Sequence, residues 1–469
     1  MTETNNRNPS QSRSCLSFRV FNAFRHAGVP LLLGGLAASS LGCWLPNPIN
    51  PSIVPTYPSI IKSPSTIPPS VTPSPGSGQY SDPGIEILGG SLTTTITDAN
   101  GAKLKGAWVR LYGLTMATTT VDSSGQGVLG PLAVGTGYRA IVGADGYATV
   151  QLDQIEIKKR GDTPRSASLS PEAVLSGHVM AGGGGVEGAV VSDGLNSATT
   201  DSAGAFELHG VTGGQVTLTA AKTRFQTATR AVTVSGKGAG NLDLTLAAAT
   251  PVVYFDTSVA PGVDLAKLQG MRTQLTAAGW EVVAQPPTRE GVWVLVSPSV
   301  DIPNALAERI TSFVAQGGKL IIFGEWGGYG HFRNPSTNSL AHAVGLHFNP
   351  DLVRDPGNGG TPEWLHITSF QTAAPAMRGI SGLKLYESCS LFGLPPMTKW
   401  AQTSSTGYRV QDNAVAGAQP VVMAGPYKGG KAVAIADASG FSDDDTDGNG
   451  TPNLKEANNS ELIGQLFNW

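Results

Sequence analysis

Charge is scarce in this chain: Asp, Glu, Lys and Arg make up 14% of its 469 residues and leave a formal net charge of -3. No broad basic field exists to attract nucleic acid, and that class of partner is excluded. Cysteine is scarcer still, with residues at 15, 43 and 389 only, too few for a disulfide framework. Cys389 sits in Glu387-Ser388-Cys389-Ser390, without a neighbouring histidine or cation to activate it, and reads as a buried, inert thiol. The apolar run over residues 29–41 is shorter than the roughly 20 residues that a membrane-spanning helix needs. Glycine and proline, in contrast, are abundant at 60 and 32 residues. That composition excludes a mainly helical protein and points to turns, short strands and at least one extended segment. At roughly 100–200 residues per domain, about three domains are expected.

The amino terminus has the order of a targeting segment. Residues 1–28 carry Arg7, Arg13, Arg19, Arg25 and His26 against one acid, Glu3, and the apolar run follows. The run ends in Ser39-Ser40-Leu41-Gly42-Cys43, which resembles a bacterial lipobox. In that family a small residue precedes a cysteine that is acylated and begins the mature chain. Gly42 and Cys43 match; Ser40 stands where leucine is favoured, and Leu41 lies one place late. The resemblance implies a lipoprotein-type signal peptide over 1–42, lipidation of Cys43, and an exported protein held to a membrane by its lipid. An ordinary cleaved leader and an uncleaved anchor are the alternatives, and both keep export. Trp44 rather than Asp after the cysteine resembles outer-membrane sorting in a cell with two membranes. Residues 43–85 form a linker: eleven prolines between 44 and 83 remove backbone donors and favour an extended spacer rising about 3.1 Å per residue.

From about 86 onward, apolar and polar residues alternate in short runs bounded by Gly, Asp and Asn, as half-buried antiparallel strands require. Residues 92–97 form such a strand and Asp98-Ala-Asn100-Gly101 its turn. Gly106-Ala-Trp-Val-Arg-Leu111, Asp122-Ser-Ser-Gly125, Gly137-Tyr138-Arg-Ala-Ile-Val142 and Asp145-Gly146-Tyr147 follow. The order returns over 173–248 with Gly188-Ala-Val-Val191, Thr200-Asp201-Ser-Ala-Gly204 and Val216-Thr-Leu-Thr219. An internal duplication at a spacing of roughly 80 residues accounts for it. Both copies, 86–171 and 172–249, resemble the carboxypeptidase regulatory-like β-sandwich. The second has Arg224-Phe225 where the closing Gly-Tyr is expected, so its last turn is expected to differ. That fold group is often described as carbohydrate-binding-like, which implies glycan contact through exposed aromatics. Trp108 lies inside the strand pattern and reads as core; Tyr112, Tyr138 and Tyr147 are the candidates for such contact.

Near 250 the rhythm changes. Val252-Val-Tyr-Phe255, a helical stretch over 264–278, strands over 281–284 and 292–296, a helix over 303–316 and the buried strand Lys319-Leu-Ile-Ile-Phe323 predict a parallel sheet covered on both faces. Strands over 420–423 and 431–436 and a helix over 460–469 complete it. Residues 313–323, the strand end Ala434-Ile-Ala-Asp437 and the segment 459–469 resemble glutamine amidotransferase-like domains of flavodoxin type. The fold class expected is therefore multi-domain, two all-β sandwiches followed by a flavodoxin-like α/β domain over 250–469. Catalytic relatives place a cysteine on the sharp turn after a strand. Here residues 324–330 read Gly-Glu-Trp-Gly-Gly-Tyr-Gly, without cysteine or serine. A phosphate cradle would need a Lys-Ser/Thr ending that this loop lacks. Glu325 with His331, His342 or His366 forms a weak alternative site, hydrolytic or metal-binding, at the strand ends.

The most specific motif is Asp445-Thr-Asp447-Gly-Asn449-Gly450-Thr451-Pro-Asn453-Leu-Lys-Glu456, which matches the twelve-residue calcium loop of the EF-hand. A hard cation needs six to eight oxygens, so Asp445, Asp447, Asn449, the carbonyl of Thr451, Asn453 and a bidentate Glu456 form the expected set for structural Ca2+. An acidic surface loop without a metal is the alternative. Together these features predict a non-catalytic, membrane-anchored surface lipoprotein whose partner is polysaccharide or another envelope protein. The competing expectation is an extracellular hydrolase of cell-wall or glycan material.

Overall fold

Period-two alternation interrupted by Asp-x-x-Gly turns dictates strands in the first half of the folded chain. The computed structural model describes residues 79–81, 89–288, 290–326, 334–358, 360–410 and 412–469, all inside one compact unit spanning 71–469. Cys15, Cys43, the signal segment, most of the proline-rich linker, residues 327–330 and His331 lie outside the described residues.

Strand Gly90–Asp98 buries Leu92, Thr94 and Ile96 and turns the intervening residues outward. With Gln126–Leu132 and Asp162–Leu169 it forms a three-stranded sheet. A five-stranded sheet faces it, in the order Gln79–Ser81, Thr115–Thr120, Trp108–Tyr112, Gly135–Gly143, Val150–Ile157. Between them lie Leu92, Ile96, Val109, Leu111, Leu129, Val142, Ile155 and Leu169. The second copy repeats the two-layer plan. Ala173–Ala181 and Ala205–Val211 face a sheet of Ser197–Thr199, Val190–Ser192, Gly214–Ala221 and Ala228–Val234, around Leu175, Val179, Val191, Phe206, Leu208 and Leu218. Both units are β-sandwiches.

One turn is used three times. Asp98, Asp122 and Asp201 each accept from the backbone N–H groups two and four residues on, at 2.8–3.1 Å, and each turn ends in a glycine of φ +75 to +83°. The closing turns also match, contrary to expectation. Arg224 adopts φ +73° where Gly146 has +79°, and Phe225 bridges Ala248 as Tyr147 bridges Pro171.

Further on, the apolar runs lengthen and the strands become buried on both faces. β1 (Val252–Phe255), α1 (Gln269–Ala277), β2 (Glu281–Val282), β3 (Val292–Val296), α2 (Asn304–Ala315), β4 (Lys319–Phe323) and α3 (Asn334–Ala343) come first. Next are β5 (Ser369–Phe370), β6 (Thr398–Gln402), β7 (Pro420–Tyr427), β8 (Gly430–Ile435) and α4 (Asn459–Asn468). One sheet contains all eight strands in the order β2-β1-β3-β4-β8-β7-β6-β5, parallel from β2 to β8 and antiparallel beyond. The chain steps one way from β1 to β2 and the other way from β3 to β4. With right-handed crossovers, α1 and α2 therefore cover opposite faces. The helix expected from 264 starts as a 3₁₀ turn, Leu265–Leu268, capped by Asp264 accepting from the Ala266 N–H at 2.9 Å.

The sandwiches dock on this domain through specific groups. Arg139 donates to the Ala343 carbonyl at 2.6 Å and lies 4.6 Å from the Tyr112 ring. Arg224 donates to Asn468 and to the Ala278 carbonyl, each at 2.8 Å.

Candidate functional site

Open parallel sheets present their functional groups where the strands end. β4 and β8 are neighbours in parallel register, so their carboxyl ends bring Glu325 and Asp437 together. Both are buried, Glu325 at 1% exposure and Asp437 at 0%. Asp437 accepts from the backbone N–H groups of Tyr386 at 2.6 Å, Ser439 at 2.7 Å and Gly440 at 3.0 Å. Ser439 donates its hydroxyl to Glu325 at 3.0 Å. Burial, and then the neighbouring Asp437, hold the Glu325 carboxyl well above the usual carboxylate range. Burial also pushes Asp437 up, to about 7, although its three N–H donors oppose the shift. Glu325 is also approached by the Ser439 hydroxyl and by the Ala438 and Ser439 N–H groups, which oppose its shift without reversing it, so the pair retains a proton near neutral pH.

Cys389 lies beside this pair, fully buried, with its thiol directed at the Ala436 carbonyl at 3.5 Å. Burial and then the nearby carboxylates of Asp351, Glu325 and Asp437 push the thiol well up, which keeps it protonated and unreactive. Gly324 occupies the exit of β4, and its N–H donates to Ile435 of β8 at 2.8 Å.

The expected histidines are elsewhere. His366 lies exposed on the strand Trp364–Ile367, which pairs with Leu383–Tyr386 outside the main sheet. His342 is buried against the first sandwich, 2.8 Å from the Gly113 carbonyl and 2.7 Å from His347. Among the described residues, no histidine hydrogen-bonds Glu325. Ser297 escaped sequence reasoning. It ends β3 in the left-handed region at φ +41°, fully buried, with its hydroxyl donating to the Gly324 carbonyl at 3.1 Å. No base among the described residues hydrogen-bonds it, and strain alone does not make it a nucleophile.

The acidic loop continues directly from this edge. Asn449 stands at its centre: its N–H reaches Asp445 at 3.0 Å and Asp447 at 3.1 Å, and its side-chain amide donates to Asp447 at 3.0 Å and to Glu456. Side chains from the first, third, fifth and twelfth loop positions thus converge as a calcium loop requires. Thr451 contributes its N–H to Asn449 at 2.8 Å. Asn453 departs from the expected set. It is fully buried and turned inward, donating to the Ser439 carbonyl at 2.9 Å and to Thr446 at 2.8 Å and accepting from the Thr446 N–H at 3.0 Å. Lys384, unmarked by any motif, reaches in from the neighbouring ladder to Asp447 at 2.7 Å and Glu456 at 3.5 Å. In this arrangement an ammonium and an amide occupy the acids. No cluster of three His, Cys, Asp or Glu side chains among the described residues is gathered to hold a metal ion.

The proposed sugar-contacting aromatics also need correction. Tyr138 is core, 1% exposed, with its hydroxyl donating to the Ala133 carbonyl at 2.8 Å and accepting from the Thr115 N–H at 3.1 Å. Tyr112 is covered by Arg139, and Tyr147 is half-buried at the closing turn. Trp108, expected in the core, is half-buried on the outer face because β alternation gives the inner face to Val109 and Leu111. Its indole lies over Gly143, where an added Cβ would come within 2.3 Å, and the Arg110 guanidinium covers it at 3.9 Å.

No family model matches the sequence, and no curated protein matches it. Among solved structures, the mmIFT52 N-terminal domain is similar over 46% of this chain and 96% of its own, at 14% identity and a TM-score of 0.37. The minor pilin GBS52 of Streptococcus agalactiae is similar over 34% of this chain and 96% of its own, at 14% identity and a TM-score of 0.18. The shaft pilin SpaA of Lactobacillus rhamnosus GG is similar over 34% and 97%, at 14% identity and a TM-score of 0.16.

Proposed function

We propose that this chain is an exported surface protein, tethered by a lipid at Cys43, that displays two β-sandwiches and an α/β head for contact with polysaccharide or another envelope component and performs no chemistry on it. One observation carries the reading: the carboxyl pair Glu325 and Asp437 is hydrogen-bonded and buried at the carboxyl edge. Glu325 faces Ser439 and Asp437, Cys389 is held protonated, and His342 and His366 lie on other elements. A hydrolytic site needs an accessible acid or base within reach of a second catalytic group. The five parallel strands, taken in chain order, run 2-1-3-4-5 across the sheet, which supports a flavodoxin-type, amidotransferase-like head. Glycine at the β4 exit supports the loss of the nucleophile from that framework.

Calcium is the cofactor proposed for the acidic loop. Asp445, Asp447, Asn449 and Glu456 would hold it, once Lys384 withdraws, with the carbonyl of Thr451 as a further oxygen. The ion would supply charge neutralisation and order to the segment between β8 and α4, a structural rather than catalytic contribution.

The hydrolase reading retains one supporting observation, the raised pair of carboxyls at a sheet edge. The two readings separate when the full chain is offered to an array of envelope polysaccharides and products are measured alongside binding. Binding without product, unchanged in the double variant Glu325→Gln/Asp437→Asn, is expected. Product formation that the double variant loses would make the protein a hydrolase.

A further inference from the structure

We propose a second site on the opposite, amino edge of the parallel sheet: a cleft that holds a small oxyanion of the carboxylate, sulfate or phosphate class among Lys222, Lys319 and Lys431. β4 and β8 both open near a lysine, and Lys319 and Lys431 stand in direct register, so both side chains leave the same face of the sheet. Both are buried, at 3% and 5% exposure. Lys319 donates to the carbonyls of Leu466 and Phe467, each at 2.9 Å. Lys431 donates to the carbonyls of Trp469 at 2.8 Å and Gly188 at 3.0 Å. The Trp469 ring lies 5.8 Å from one ammonium and 4.3 Å from the other. Lys222, from the second sandwich, closes the cleft and makes no hydrogen bond among the described residues; its ammonium lies 3.0 Å from where a Cβ on Gly188 would stand.

These partners balance the charge only in part. The carbonyls at the carboxyl end of α4 offer about half a negative charge between them, against three ammonium groups. Each ammonium has three N–H donors, and Lys319 and Lys431 use two apiece on these carbonyls. Glu290 lines the cleft as a further negative charge, accepting from the Thr227 N–H at 2.8 Å, and Glu187, which pairs with Arg378 at 3.4 Å, acts on Lys222 and opposes the lowering of its pKa. No Asp or Glu side chain among the described residues bonds any of the three lysines. Interiors pair their buried charges, and an unbalanced cluster is costly. Burial accordingly lowers the pKa of all three lysines, and they lower one another's further at Lys319 and Lys431. The space among these groups is narrow, about 20 Å³, room for one oxygen-sized group, and it is continuous with solvent outside. An oxyanion there completes the unused N–H donors and restores the positive charge, so its binding takes up protons.

Sulfate titrated into the full chain at constant ionic strength tests the site. Expected are a saturable one-to-one heat, proton uptake read from buffers of different ionisation enthalpy, and a rise in Tm of about 2–4 °C near saturation. Lys222→Gln is expected to weaken sulfate at least tenfold while melting cooperatively, and Lys222→Arg to retain it. A Tm rise that never saturates and is equal in the parent and Lys222→Gln is general salting and overturns the proposal. A second arm identifies the source of the anion by adding two glycines after Trp469. A parent indifferent to sulfate beside an extended chain that responds supports the oxyanion site and assigns it to the α-carboxylate that Trp469 carries when it ends the chain. Indifference in both forms overturns the proposal.

Discussion

Tyr386 donates its phenolic hydrogen to Glu456 at 2.5 Å while its own backbone N–H binds Asp437 at 2.6 Å. One residue thus joins the closing acid of the calcium-type loop to the carboxyl pair at the sheet edge. Burial, then Glu456, raises the phenol's pKa, so it stays a donor. Tyr386→Phe leaves Glu456 with less than its full set of donors in a nearly sealed position. A stability loss of about 1–3 kcal/mol is expected, measured by urea unfolding at pH 7, and no loss would mean that the loop rests on its own turns.

The proposed calcium ion would compete with Lys384 for Asp447 and Glu456. Adding calcium to the full chain is expected to raise its Tm, and chelator to reverse this, with Glu456→Gln removing the response. Because Lys384 must withdraw from Asp447 and Glu456 before an ion settles, Lys384→Met is expected to tighten calcium about tenfold, equal to 1.4 kcal/mol. Equal affinity in parent and variant would show that the lysine is no rival.

The contrast between Asn449 and Asn453 shows how much the sequence discloses. Spacing alone places both on a metal, yet only Asn449 faces the acids; Asn453 is drawn inward by Ser439 and Thr446, partners 14 and 7 residues away. The sandwiches and the parallel sheet were legible because burial imposes periods of 2 and 3.6 along the chain. Arg224 was misread because a glycine-like turn is inferred from glycine, whereas here docking bonds to Asn468 and Ala278 hold an arginine in that conformation. The Glu325–Asp437 pair was half legible: Glu325 stood out in a glycine-rich loop, but Asp437 marked only a strand end. Their meeting depends on the crossing order of β4 and β8, which local pattern does not encode. Lys384 and Tyr386 lie in a short ladder with no motif at all.

Glu325 gives a pH test of the pair. Its pKa is raised in the folded protein, so folding is favoured below the ordinary carboxyl pKa, and that contribution is lost as pH rises through the folded value. Glu325→Gln keeps the shape and removes the ionisation. The variant is expected to melt near the parent at pH 5 and a few degrees above it at pH 8. Identical pH profiles would show that Glu325 ionises without cost.

Cys43 is tested by fractionation. The parent is expected in the membrane fraction with labelled fatty acid attached, and Cys43→Ala is expected without label. A labelled variant, or an unlabelled parent, would remove the lipid from the proposal while leaving export intact.

His342 and His347 make the seam with the first sandwich sensitive to acid. The Gly113 carbonyl can only accept, so Nδ1 of neutral His342 carries the hydrogen at 2.8 Å, which leaves Nε2 as an acceptor 2.7 Å from Nδ1 of His347. Protonating His342 puts a second N–H and a charge on a ring sealed in this seam. Burial lowers its pKa from 6.5 to about 4, with the Gly113 carbonyl opposing, and His347 shifts in the same direction. The unfolded chain therefore takes up the proton first. Stability is full above pH 6.5 and falls as pH drops toward 4, by about 2 kcal/mol at pH 5 from His342 alone. Urea unfolding of the parent and of His342→Gln/His347→Gln at pH 7.5 and pH 5.0 measures it. The parent is expected to lose at least that much more than the double variant between the two pH values, and equal losses would place the acid sensitivity on other groups.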